Sequence, residues 1–146
     1  VDPAGSEPVY LVFSQRAALE PDVAGWDARG QRFFDARVEL ATGAPGRLVL
    51  VPRGGLAGTR EVRALARTDE HLAAAQQADA RAGDTGLGRL ASRCPTVWRV
   101  ERSMPGDALA LRLAAVIASV ELGPIFDPAA GELFGVKTAR AKLALL

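Results

Sequence analysis

The chain has one cysteine, one histidine, two lysines and no asparagine among its 146 residues. One cysteine excludes an internal disulfide framework and a multi-cysteine zinc site. One histidine excludes any site that needs two imidazoles from one chain. Long apolar runs are also missing. The best, Ala108 to Val120, is 13 residues long and contains Arg112, short of the roughly 20 that span a membrane, so it reads as a buried core helix. The 18 basic and 17 acidic residues leave +1, too little for a global field that would hold nucleic acid or an anionic membrane. Two phosphate-binding signatures are absent: no lysine follows the glycines at 54–58 as a P-loop requires, and Gly-x-Gly-x-x-Gly does not occur.

What is there is alanine, 28 residues, with 18 leucines and 16 arginines. The arginine excess over lysine reads as compositional drift. With 49% apolar and 24% charged residues, the composition is that of a soluble globular chain rather than a disordered one. The lone thiol suits a reducing compartment, so a cytoplasmic location is expected. No basic and apolar leader precedes Pro3, although the initial Val is compatible with a trimmed one. Charge is uneven: residues 1–46 carry 4 basic and 7 acidic groups, residues 47–102 carry 10 and 6, and the remainder balances.

Residues 1–8, with Pro3, Gly5 and Pro8, are expected to form a mobile tail, and 9–146 a single α+β domain. Val9 to Phe13 is a β-prone run. Residues 21–30 fit either a short helix opened by Pro21 or a hairpin turn at Asp27 to Gly30. Phe34, Ala36, Val38 and Leu40 alternate with charged residues, predicting a half-exposed strand that turns at 42–46 and returns through Leu48 to Val51. Thr59 reads as the cap of a helical turn, and Thr68 as the cap of a further helix with Asp69 and Glu70 in its first turn. A short helix through Leu87 to Ala91, a strand at 96–101 and a helix at 108–120 capped by Asp107 follow. Gly123-Pro124-Ile125-Phe126-Asp127-Pro128-Ala129-Ala130-Gly131 then predicts a strand, a tight turn and a second strand through Leu133-Phe134. This Ala-rich helix leading into a Gly-x-x-x-Asp-Pro-x-x-Gly hairpin resembles small bacterial α+β domains, a likeness of turn chemistry that carries no functional residues. The whole predicts a mixed or antiparallel sheet of about five or six strands, covered mainly on one face by Ala-rich helices. Residues 97–136 fit a ferredoxin-like split β-α-β in part.

Two constellations stand out. Gly55, Gly58 and Thr59 at the start of the expected helix would aim backbone N–H groups at an anion, with Arg60, Arg63 and Arg67 forming one stripe behind them. The bland counterpart is a connection followed by a solvated arginine face. A final helix would place Val136, Ala139, Leu143 and Leu146 on one stripe, docked on its own sheet or offered to another chain. His71, Cys94 and the carboxylates show no spacing that implies catalysis, and no metal or cofactor is expected. These readings favour a non-catalytic module that works through a surface, with a protein partner or self-association. The alternative is an anion- or nucleotide-binding domain built on loop 54–59; nucleic acid is disfavoured, since Trp98 and Phe134 are not interleaved with basic residues.

Overall fold

A computed structural model describes residues 8–146. The expected tail lies outside the described residues except for Pro8, whose carbonyl accepts the Arg102 N–H at 2.9 Å. In chain order the elements are β1 (Val9–Ser14), α1 (Val23–Phe33), β2 (Ala36–Leu40), β3 (Arg47–Pro52), β4 (Gly58–Ala66), α2 (Asp69–Arg81), α3 (Leu87–Ser92), β5 (Thr96–Glu101), α4 (Ala108–Glu121), β6 (Ile125–Asp127), β7 (Glu132–Phe134) and α5 (Val136–Ala144). They make an α+β fold around one seven-stranded sheet in the order β2-β3-β4-β5-β1-β6-β7, with every neighbouring pair antiparallel.

The unforeseen strand is β4. Residues 59–67 were expected to be helical, and Ala, Leu, Arg and Glu there do favour helix. Pairing on both sides overrides that preference: Arg47 to Leu50 bond one edge and Thr96 to Val100 the other. Residues 21–30 settle as helix. The Asp22 carboxylate accepts the Gly25 N–H at 3.1 Å, and α1 runs on past Gly30 to Phe33. Gly30 is required because a Cβ there would lie 2.7 Å from the Ala36 carbonyl oxygen. That close approach lets α1 cover the outer edge of β2, where Asp27 Oδ1 accepts the Val38 N–H at 2.8 Å. An otherwise open edge strand is thereby blocked.

β5, α4 and β6 form a split β-α-β unit, since β1 lies between β5 and β6 and is antiparallel to both. Alternation along β1 sends Tyr10 and Val12 into one core and Val9, Leu11 and Phe13 into another. The first core packs α1, α4 and α5, with Trp26 and Trp98 edge to face at 5.0 Å. The second packs α2 and α3 through Ala75, Ala78 and Ala91. The sheet is therefore covered on both faces at its centre, not mainly on one; alanines let α2 and α3 approach closely. Over β2 to β4 the second face is left to exposed or half-exposed side chains such as Arg37, Arg63 and Val49.

One buried carboxylate joins these layers. Glu121, the last residue of α4, accepts from Ser14 Oγ at 2.9 Å, Arg16 Nε at 2.8 Å and Trp26 Nε1 at 3.0 Å. Burial disfavours its charge, but Arg16, Trp26 and Ser14 together hold its pKa below the ordinary value. Leu122 then turns left-handed at φ 60°. Gly123 follows against β1, where a Cβ would sit 1.8 Å from the Phe13 carbonyl oxygen. Replacing Glu121 by Ala leaves the buried Trp26 indole without its acceptor and Arg16 without its counter-ion, while Ser14 Oγ keeps the Arg16 carbonyl. Arg16 is 37% exposed and can rehydrate, so the cost is mainly that of the buried indole and should be about 2–3 kcal/mol in urea unfolding followed by tryptophan fluorescence; a loss under about 1 kcal/mol, typical of a surface ion pair, would contradict the assignment.

Candidate functional site

The expected anion site does not assemble. Because 58–66 is a strand, successive side chains alternate between faces, and Arg60 and Arg63 point to opposite sides. Arg60 is bound bidentately to Asp107, through Nε and Nη2 at 2.9 Å each. Arg63 pairs with Glu61 at 3.3 Å on the surface. Arg67 lies beyond the strand and donates from Nη1 to the carbonyls of Ala91, Ser92 and Cys94 at 2.8–3.2 Å, closing the end of α3. Gly55 belongs to the β3–β4 turn, its N–H donating to the Pro52 carbonyl at 3.3 Å. Gly58 starts β4 against Leu109, and Thr59 Oγ1 accepts from Arg47 at 3.4 Å. The loop leads into β4 rather than into a helix.

The α5 stripe is mostly spent inside the molecule. Ala139 is fully buried, and Val136 and Leu143 pack on the same core. Leu146 instead remains exposed, beside Leu145. Cys94 is buried with its thiol pushed up to about 11 by that burial, against a smaller opposing pull from Arg67. His71 completes a capping box: Thr68 Oγ1 accepts the His71 N–H, and His71 Nδ1 accepts the Thr68 N–H, each at 3.1 Å. Asp79 accepts from the Thr85 hydroxyl and from the N–H groups of Thr85 and Gly88, shaping the α2–α3 loop. Among the described residues no three His, Cys, Asp or Glu side chains gather as a metal site. No described helix is long and apolar enough to cross a membrane.

A different cluster forms where α1 ends. Phe33 is 42% exposed, with the guanidinium of Arg29 at 5.4 Å and that of Arg32 at 5.2 Å from its ring centre. Phe34 is buried beneath, with Arg140 of α5 at 5.3 Å from its ring. Arg112 of α4 donates here to the Phe34 carbonyl at 2.7 Å, a favourable place for a cation at a helix C-terminus. Two clefts adjoin at Asp35. One, of about 220 Å³, lies between Phe33, Arg112 and Arg140. The other, of about 330 Å³, lies between Gln31, Arg37 and Arg53. Asp35 itself is held left-handed at φ 52°.

Arg29 and Arg32 thus flank one half-exposed phenylalanine, Arg112 and Arg140 share its cleft, and Arg37 and Arg53 line the adjoining one, with Asp35 common to both. These arginines come from α1, β2, the end of β3, α4 and α5, so no stretch of sequence shows them together. The only local hint was Arg29-x-x-Arg32-Phe33. The class of protein is an α+β domain with an open antiparallel sheet. No known protein family, curated protein or solved structure matches the chain.

Asp107 shows why Arg60 is unavailable to a ligand. Burial opposes its charge, but the Arg60 guanidinium and the N–H groups of Ser103 and Ala110 prevail and hold its pKa at about 2. A carboxyl lowered by folding stabilises fully above its unfolded value and loses that contribution as pH falls through the folded one. Stability should therefore drop by about 2 kcal/mol from this group between roughly pH 4 and pH 2. Arg60→Ala should remove most of that acid dependence, read from urea midpoints at pH 6 and pH 3; an unchanged acid limb would show that Arg60 is not the cause.

Proposed function

We propose that this chain is a non-catalytic interaction module that docks an acidic segment of a partner protein on the arginine-rich end of α1. The observation that carries this reading is Phe33, an exposed aromatic ring between two guanidiniums on the wall of one arginine-lined cleft, which adjoins a second at Asp35. Aromatic and arginine side chains are enriched where partners bind and dominate the energetics there. Arg53 and Arg140 make no ion pair with a described carboxylate, so acidic groups of a partner would complete them. A protein segment fits better than nucleic acid, because the cluster is one small patch centred on an aromatic ring and not the continuous basic stripe that tracks a phosphate backbone.

Groups that could act in catalysis have other duties. The thiol of Cys94 is buried and un-ionised, the His71 ring nitrogen caps α2, and Asp107 and Glu121 are saturated by arginine. The buried thiol is also in keeping with work in the reducing cytoplasm. Self-association remains a second form of the same reading, in which a second copy supplies the acidic segment.

The test is fluorescence anisotropy with a labelled Glu/Asp-rich peptide, with light scattering to report self-association. Binding should weaken with salt. Phe33→Ala should reduce affinity about tenfold or more, and Arg53→Glu with Arg140→Glu further, at unchanged thermal midpoint. Wild-type affinity in all three variants would refute the site, and preference for a DNA oligonucleotide of equal charge would refute the partner class.

A further inference from the structure

A further cleft, of about 260 Å³, opens between the end of α5 and the β6–β7 hairpin. Its walls are the Tyr10 ring, Leu111 and Phe134, and its rim carries Leu145, Leu146 and Lys142. Asp127 and Glu132 face each other directly across the hairpin. Like charges in that position repel unless each has its own counter-ion, and here each does. Arg102, 5% exposed, donates to Asp127 Oδ1 at 2.9 Å, while Lys142 donates to Glu132 Oε1 at 2.8 Å. The result is an ordered row of four charges, two carboxylates side by side with a cation at each end, of which Asp127 and Lys142 line the cleft.

The two lining charges have capacity left. Asp127 takes Arg102 and the N–H groups of Ala129 and Ala130 all on Oδ1, leaving Oδ2 with no donor among the described residues. Lys142 carries three donors and uses one, with its ammonium 5.0 Å from the centre of the Phe134 ring. Arg102 in turn lies over the Tyr10 ring at 4.5 Å, which fixes the aromatic wall. The volume is below the roughly 300–1,000 Å³ of sites for drug-sized ligands, so an occupant must be of small-metabolite size.

From this arrangement we infer that the cleft binds a free amino acid with an apolar side chain. Its ammonium would meet Asp127 Oδ2, its carboxylate the remaining donors of Lys142, and its side chain Leu111, Phe134 and the Leu145–Leu146 rim. A ligand bearing only one of the two charges leaves the other pole of the site unmatched. A net-neutral site selects a zwitterion over the acidic segment proposed for the α1 end, so the two proposals stand or fall separately.

The test is isothermal titration of the full chain with leucine and phenylalanine, against leucinamide, which lacks the carboxylate, and 4-methylpentanoate, which lacks the amine. Leucine or phenylalanine should bind at least tenfold more tightly than either truncated ligand. Lys142→Met should weaken binding at least tenfold with only a small fall in the unliganded thermal midpoint, because Lys142 and the Glu132 it leaves are both over a third exposed and solvated. Leu145→Trp, at a position 87% exposed, should obstruct the rim without touching the core and give the same loss. Absence of amino-acid binding, equal binding of leucinamide, or wild-type affinity in Lys142→Met would each overturn the proposal.

Discussion

The architecture depends on the carboxylate of Glu121. A buried charge is expensive unless it is paired and hydrogen-bonded, and an apolar side chain of similar size often serves stability as well or better. What an apolar replacement cannot do is choose its neighbours. Glu121 accepts from β1 through Ser14, from the following loop through Arg16 and from α1 through Trp26. Those segments come from the first 26 residues, and Glu121 closes the helix of the split β-α-β unit nearly a hundred residues later. The contact therefore fixes the register of the N-terminal strand within the C-terminal unit, and with it the central place of β1 between β5 and β6. Gly123 enforces the same registration sterically, since no side chain fits between its backbone and the Phe13 carbonyl.

What was legible in the sequence was local. The β2–β3 hairpin follows from alternation, the caps at Thr68 and Asp107 from side-chain chemistry, and the β6–β7 turn from Asp127-Pro128. Each of these is decided within a few residues, where period and turn propensity act directly. β4 was not legible, because Thr59-Arg60-Glu61-Val62-Arg63-Ala64-Leu65 suits a helix as well as a strand. Its state is set by partners 8–14 residues away on one side and 30–38 on the other, and propensity yields to such pairing. That one assignment decided the candidate anion site as well. On a helix, positions 60, 63 and 67 share a face; on a strand and its continuation they part, and each arginine meets a different partner.

The arginine-rich end of α1 was hidden for the opposite reason. Counted along the chain, residues 1–46 are acidic by three charges, which points away from them as a cationic surface. Folding regroups the charges: α1 brings Arg29 and Arg32, and Arg53, Arg112 and Arg140 arrive from segments outside that count. Asp27 is meanwhile withdrawn to the edge of β2, and Glu39 pairs with Arg37 at 3.1 Å. The local field is a property of topology, and a tally by sequence segment cannot contain it.

The same regrouping revises the arginine-over-lysine bias, which the sequence alone leaves as drift. Arg60 grips both oxygens of Asp107, Arg67 collects three carbonyls at the end of α3, Arg112 crosses from α4 to the end of α1, and Arg102 both pairs with Asp127 and stacks on Tyr10. Each of these tasks needs a planar group with several donors and a charge that survives burial. A lysine is a compact, strongly hydrated point charge that lacks the planar fork and resists desolvation. Short helices and a sheet interrupted by turns leave many carbonyls and carboxylates without partners from regular secondary structure. Arginines drawn from distant elements supply those partners, which ties the composition of this chain to the way its layers are held together.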